Sequence, residues 1–415
     1  MPRKKWFSLA LASFLAMTAR HAAAQDSFYE VTEPAAVFSG GAEYLLMTRD
    51  HNFNGPSNFI SGPDAGRINF NNTDFDFESG YRGFLALSNQ GIRLEGVYTN
   101  FGRWQYGNAG SLTNGLAFDE GAVNDWTGDN FINLTTGFSS LHAAAAGGMG
   151  GDADEFEGLG PVGAFADTLP TFETYYHSRM QSWEVNFVTE DPEAHFQFGA
   201  GYSHFDLSET TGVSIVGTLR AIDVVAPNGG ISHTGLTTFG GLTHLGGVAN
   251  GFEDEVGNAS GFADVLQMQH TAGTRNNLNG VQLLFQEEIM YWRGWTIDGT
   301  LKTGLYNNSM TGTVSERYIG TDPITGESST YGRTFFDKKT DLAFAVAVGL
   351  KSNFPLSDHW SLLTGYEMTF LDGVALAPEQ YGAISGTTFV NRRYDINDNG
   401  QIIAHGANVG LQFAY

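Results

Sequence analysis

Residues Trp295-Thr296-Ile297-Asp298-Gly299-Thr300-Leu301-Lys302-Thr303-Gly304-Leu305 decide the fold. One face carries Trp295, Ile297, Gly299 and Leu301; the other carries Thr296, Asp298, Thr300 and Lys302. A period of two marks a β-strand whose faces meet different surroundings. The run follows Arg293-Gly294 directly, and that pair links it to another alternating stretch, 278–292.

The same period recurs on either side. In 341–352, Leu342, Phe344, Val346, Val348 and Leu350 alternate with Ala343, Ala345, Ala347 and Gly349. Residues 359–371 set Trp360, Leu362, Tyr366, Met368 and Phe370 against Ser361, Gly365 and Glu367, and the chain ends on Val409, Leu411, Phe413 and Tyr415 at alternate positions. With weaker runs at 42–49, 80–88, 91–101, 180–189 and 195–208, ten strands are expected. Two runs break their own pattern. In 195–208 the apolar parity changes after Tyr202 to Phe205 and Leu207, which a β-bulge near His204 would explain. In 278–292 Glu287 interrupts the face of Val281, Leu283, Phe285, Ile289 and Tyr291 without an evident reason.

The connections argue more strongly still. Short links at Asn89-Gln90, 189–194, Arg293-Gly294 and 353–358 alternate with long ones at 50–79, 102–179, 209–277, 309–340 and 372–400. A transmembrane barrel sorts its connections in this way, with short periplasmic turns and long outer loops, and an even strand count returns both termini to one side. The expected fold is therefore an all-β, antiparallel up-and-down transmembrane barrel over residues 25–415. Tyr44, Trp183, Trp292, Trp295, Trp360 and Tyr415 near strand ends are expected to form its interfacial aromatic girdle.

Residues 1–24 read differently. Arg3, Lys4 and Lys5, an apolar stretch from Trp6 to Met17, and Ala22-Ala23-Ala24 compose a secretory signal peptide cut before Gln25. The apolar stretch is too short to cross a bilayer as a helix. The chain has no cysteine, so neither a disulfide framework nor a lipid anchored on cysteine is available. Four of the 21 Lys and Arg lie before residue 25, leaving 17 against 45 Asp and Glu, a net −28. Such a surface argues against a nucleic-acid partner, whose phosphates need cations.

Pieces of the sequence also resemble a known family. They are Glu43-Tyr-Leu-Leu-Met47, Phe198-Gly-Ala-Gly-Tyr202 leading to Leu207-Ser-Glu209, Asn276-Asn-Leu-Asn-Gly280-Val-Gln282, Gly365-Tyr366 through Gly373-Val374, and His405-Gly-Ala-Asn408-Val-Gly410-Leu-Gln-Phe413. Their order resembles the planctomycete-type outer-membrane β-barrel family of unknown function. The resemblance implies a barrel in the cell envelope and supplies no catalytic residues.

Alternation places Arg93, Glu95, Glu184, Glu288, Asp298, Lys302 and Glu367 on the lumen side, with Asn186, Gln282 and Gln412. Ten strands leave a narrow lumen, so these side chains are expected to plug it by cross-bracing. The rival is a narrow cation-preferring channel, because carboxylates outnumber bases among them. Asp395-Ile-Asn397-Asp-Asn399-Gly400 repeats the first half of a calcium loop but lacks the acidic twelfth position, where Gly406 stands; Asp395, Asn397 and Asn399 are weak calcium candidates, and a polar turn is the plainer reading. Asp152, Asp154, Glu155 and Glu157, after a glycine run, suit a solvated loop that could bridge divalent cations to surface polysaccharide.

No enzyme is expected. Nucleophile-elbow, zinc-protease, phosphate-loop and dinucleotide motifs are absent, and Ser203 and His204, adjacent on a strand, should point apart. The reading is of an outer-membrane barrel with a structural or surface-display role, exported through its signal peptide, without a resident cofactor. Its partners would be outer-membrane lipid and, through the C-terminal strand, the barrel-assembly machinery. A secreted soluble β-rich adhesin is the remaining alternative.

Overall fold

A computed structural model describes residues 37–52, 59–61, 64–70, 73–113, 116–118, 130–132, 170–189, 196–219, 224–225, 231–232, 264–321, 328–385 and 392–415. The expected signal peptide, residues 190–194 of the expected short link at 189–194, and the acidic patch at 152–157 lie outside them. Ten long strands close into one barrel: β1 (Val37–Asn52), β2 (Glu78–Asn89), β3 (Ile92–Ser111), β4 (Thr171–Thr189), β5 (Phe196–Leu219), β6 (Asp264–Trp292), β7 (Trp295–Thr321), β8 (Ser328–Pro355), β9 (Trp360–Val374) and β10 (Gly400–Ala414). Each pairs antiparallel with its neighbours in sequence. β10 closes the ring on β1, with Val409 opposite Tyr44, and Phe38 and Tyr415 exchange backbone hydrogen bonds of 3.0 and 2.8 Å at the seam. Closure leaves no free sheet edge.

The tight turns follow from local chemistry. Gln90 and Gly91, and again Arg293 and Gly294, all adopt positive φ. That is the type I′ geometry whose twist matches a two-residue hairpin. The first turn therefore sits one residue later than the expected Asn89-Gln90.

All ten expected strands are present, but much of the expected loop is strand. β6, β7 and β8 run for 29, 27 and 28 residues, taking in most of the expected loop at 309–340 and the end of that at 209–277. The wall is tall on this side, and β4 shows how it is built. Its side chains alternate inward and outward without a break from Thr171 to Thr189. Nearest the turn end Trp183, Val185 and Phe187 face out while Ser182, Glu184 and Asn186 face in; farther along, Arg179 and Glu173 face out while Phe172, Tyr176 and Met180 are buried inside. The polar and apolar faces have exchanged sides with no change of parity.

This exchange explains the odd pattern in β5, where no bulge exists near His204. The register against β4 and β6 is continuous through Ser203, His204 and Phe205. Tyr202 belongs to the outward apolar face, whereas Phe205 and Leu207 are buried inside. Real irregularities fall elsewhere: between Asn100 and Gly102, between Glu288 and Met290, and between Asp372 and Val374. The second re-aims β6 near its turn, two residues beyond Glu287, which lies level with the start of β5 opposite Phe196.

The turn-end storey wears an apolar belt outside. Val281, Leu305 and Leu342 are exposed by 68, 62 and 73%. Aromatic residues border the belt on both sides. Trp292, Trp360 and Tyr415 are exposed near the turns, whereas Tyr44, Tyr81, Tyr98, Trp183, Tyr202 and Tyr366 form a second row toward the loops. Six residues separate Phe196 from Tyr202 and Trp360 from Tyr366, about 20 Å along a strand. Trp295 departs from the expectation of an exposed girdle ring: it is half-buried, and its indole N–H donates to the Ser352 hydroxyl. Among the described residues no helix is long and apolar enough to cross a membrane.

Candidate functional site

The interior has two parts with different chemistry. The turn-end storey encloses a half-open cavity of about 310 Å³. Six of the seven expected lumen residues line it: Arg93, Glu95, Glu184, Asp298, Lys302 and Glu367. The seventh, Glu288, lies beside it as the cross-strand partner of Asp298. Sequence reading missed Arg82 and Lys351, which also line the cavity, and Glu43, buried behind it. Alternation does place all three inward: Glu43 and Arg82 lie on strands whose inner face was not read, and Lys351 continues the small-residue face of Ala343, Ala345, Ala347 and Gly349.

These additions alter the charge balance. Arg82, Arg93, Lys302 and Lys351 equal Glu95, Glu184, Glu367 and Asp298 in number in the lining, and with Glu43 behind it and Glu288 beside it the carboxylates number six against four bases. The groups are also bound to one another. Arg82 bridges Glu43 at 3.1 Å and Glu367 at 2.6 Å, and Lys351 meets the other oxygen of Glu43 at 2.5 Å. Glu184 accepts from Lys302 at 2.6 Å and from Gln282 at 2.8 Å. Gln282 also donates to Asn186 at 2.7 Å, while Arg93 reaches Gln286 at 3.3 Å. The bracing thus joins β1, β2, β8 and β9 on one side and β3, β4, β6 and β7 on the other. β5 yields space through Gly201, where a Cβ would stand 2.2 Å from the Asn186 oxygen. The glycines of Phe198-Gly-Ala-Gly-Tyr202 thereby acquire a packing reason.

The loop-end storey is filled by a plug that sequence reading did not find. Near the end of β9 the φ of +81° at Gly373 turns the chain inward. A short 3-10 helix, Ala377–Ala383, then buries Ala377, Pro378, Glu379, Gln380 and Tyr381. Residues from 59–75 pack on it: the Tyr381 ring stacks on Phe70 at 6.1 Å and meets Phe59 edge-on at 4.7 Å. Wall residues Met268, Met310, Val314 and Leu207 complete one apolar core with them. Polar cross-bracing thus marks the lower storey, while in the upper one the described loop segments pack into an apolar core.

A buried backbone needs hydrogen-bond partners, and wall side chains supply them. Asn276 accepts from the Ala375 N–H at 2.7 Å and donates to its carbonyl at 2.8 Å, as a neighbouring strand would. Asn308 donates to the Gly373 carbonyl at 3.0 Å. Glu209 accepts from the Ala377 N–H at 2.9 Å and from the Tyr176 hydroxyl at 3.0 Å. Its other oxygen meets Arg49 at 2.6 Å, both side chains being wholly buried. Gln380 donates to the carbonyls of Leu376 and Asn397 and accepts from Tyr394, tying the helix to the returning chain.

Burial pushes the phenols of Tyr176, Tyr381 and Tyr394 well above the usual tyrosine range. Because the folded values exceed the ordinary value near 10, their contribution to stability is complete below about pH 10. It is lost as pH rises toward the folded values. In an alkaline titration followed by phenolate absorbance, these three rings should stay silent until the protein unfolds. Replacing each by phenylalanine should leave the early absorbance rise unchanged; a loss of early signal would show a plug open to solvent.

The weak calcium candidates fall on the chain returning from the plug. Asn397 Oδ1 accepts from the backbone and side chain of Asn399 at 3.1 and 3.0 Å, while the Asp395 N–H donates to the Ala383 carbonyl. Asp398 pairs with Lys339 at 2.6 Å. Among the described residues no three His, Cys, Asp or Glu gather as a metal cluster. Ser203 faces the interior, while His204 lies outside against the Trp183 ring at 5.5 Å.

No protein-family model matches the chain, and no curated protein matches its sequence. Among solved structures, the outer-membrane protease OmpT of Escherichia coli is 9% identical over 93% of this chain and 99% of its own, with a TM-score of 0.38. A Pseudomonas aeruginosa FadL homologue is 8% identical over 92% and 90%, with a TM-score of 0.23. An anion-selective porin of Comamonas acidovorans is 10% identical over 92% and 99%, with a TM-score of 0.20. Likeness at this level carries no argument about activity.

Proposed function

We propose that this chain is an outer-membrane barrel with a structural or surface-display role and a sealed lumen. The observation that carries this reading is the plug. Tyr381, Phe59, Phe70 and the wall residues around them form one buried apolar core across the barrel. An ion crossing it would have to shed its water without compensating ligands. The exposed apolar belt, with aromatic residues on both borders, supports burial of the turn-end storey in lipid and speaks against a secreted soluble adhesin. In this reading the signal peptide directs export, β10 presents Tyr415 to the assembly machinery, and the acidic loops meet divalent cations or surface polysaccharide outside. It assigns the protein no catalysis.

The half-open cavity favours a second reading, a narrow channel whose plug moves aside. Planar-bilayer recording of the folded protein separates the two. The sealed barrel should insert, as judged by a mobility shift between boiled and unboiled samples, yet give no steady steps of current. Reproducible ion-selective steps from wild-type protein would overturn the sealed reading.

A further inference from the structure

We propose that the outer face of β3–β6, just beyond the loop-side aromatic row, is a docking surface for the phosphate headgroup of a membrane lipid. The inference rests on the membrane reading above. Arg103 on β3 stands directly opposite Arg179 on β4. Arg179 is opposite Ser208 on β5, and Ser208 opposite Arg275 on β6. The three arginines are exposed on the outward face.

Their setting is specific. Like charges directly opposite on a sheet repel, and the chain carries 45 acidic residues from which a partner for Arg103 and Arg179 could have been drawn. Asp206 pairs with Arg275 at 2.6 Å, and Arg179 bonds the neutral Gln181 at 3.3 Å. Immediately toward the turn end lies an aromatic shelf, in which the Trp183 ring contacts Tyr202 at 5.1 Å and His204 at 5.5 Å. Tyr98 shares Gln181 with Arg179, its hydroxyl donating at 3.3 Å. Arg179 is four residues beyond Trp183, roughly 13 Å along the strand. Acyl chains against the shelf would thus carry their phosphates to the arginines, which bind such groups through two parallel hydrogen bonds.

Each arginine close to an anionic lipid surface is worth about fivefold in local lipid concentration. The test folds the full chain into phosphatidylcholine vesicles containing brominated phosphatidic acid, brominated oleate or brominated phosphatidylcholine. Quenching of Trp183 is read as the difference between wild type and W183F. Brominated phosphatidic acid should be enriched at Trp183 by about fivefold or more over brominated phosphatidylcholine. R103Q/R179Q/R275Q should abolish the enrichment, R179Q alone should reduce it, and R317Q, on the distant part of β7, should leave it intact.

Equal quenching in wild type and the triple variant would overturn the proposal. So would equal enrichment of oleate, or loss of the enrichment when inorganic phosphate is added, which would mark a site for free phosphate. Failure to insert into any vesicle would overturn the membrane reading as well, whereas insertion without enrichment overturns the docking surface alone.

Discussion

Replacing Glu209 by alanine is expected to cost about 3–5 kcal/mol of stability, because it strands a buried charge. Arg49 and Glu209 are wholly buried and 2.6 Å apart. Removing the carboxylate leaves the guanidinium without its counter-ion, with the Tyr176 hydroxyl at 3.0 Å and the Phe75 and Tyr176 rings as its neighbours among the described residues. The Tyr176 and Ser178 hydroxyls and the Ala377 N–H lose their acceptor in the same step. The double variant R49M/E209L should recover most of the loss, since a buried pair replaced by apolar groups of like volume is often neutral or better. Urea unfolding of the refolded protein measures both. A loss under 1 kcal/mol for E209A would mean that water reaches the pair and that the upper storey is not sealed.

Tyr381→Ala should be about as severe, near 3–5 kcal/mol, the usual cost of emptying a large aromatic site in a packed core. The ring lies between Phe59, Phe70 and His270, and its hydroxyl accepts from Thr211 at 2.9 Å. The effect should also be local. Amides of 375–385 and 392–397 should exchange with solvent much faster, while the turn-end storey, held by its own ion pairs and ladder, keeps its mobility shift on unboiled gels. Unchanged exchange in those segments would show that the plug does not depend on the stack; loss of the shift would show that the two storeys do not unfold separately.

How much of this was legible beforehand follows from which solvent each residue meets. In the lower storey one face meets an apolar medium and the other a polar lumen, and that contrast is written plainly in Trp295–Leu305 and in Trp183, Val185 and Phe187. The aromatic rows and most of the lumen residues follow from the same contrast. In the upper storey the pattern is diluted. Residues 267–274 place Met268, His270, Ala272 and Thr274 inside, a mixture whose alternation no hydropathy reading would isolate. Ala375-Leu-Ala-Pro-Glu-Gln-Tyr381 has no period at all, because the backbone of Ala375 and Ala377 is bonded far away in sequence, at Asn276 and Glu209. Both had been noticed only as pieces of a resemblance. Arg82 was missed because the inner face of its strand went unread, and Lys351 because it closes a face otherwise made of Ala and Gly.

The exchange of faces along β4 and its neighbours acts as an error check on assembly. Because parity never changes along β4, a slip of one residue in its pairing would turn every side chain of the strand over. In β4 that single error would carry Glu184 and Asn186 to the outer surface of the lower storey and Phe172, Tyr176 and Met180 to the outer surface of the upper one. Neither storey could compensate for the other, so a misaligned strand fails in two media at once. The register is therefore proofread twice, by whatever surrounds the belt and by the water around the upper wall.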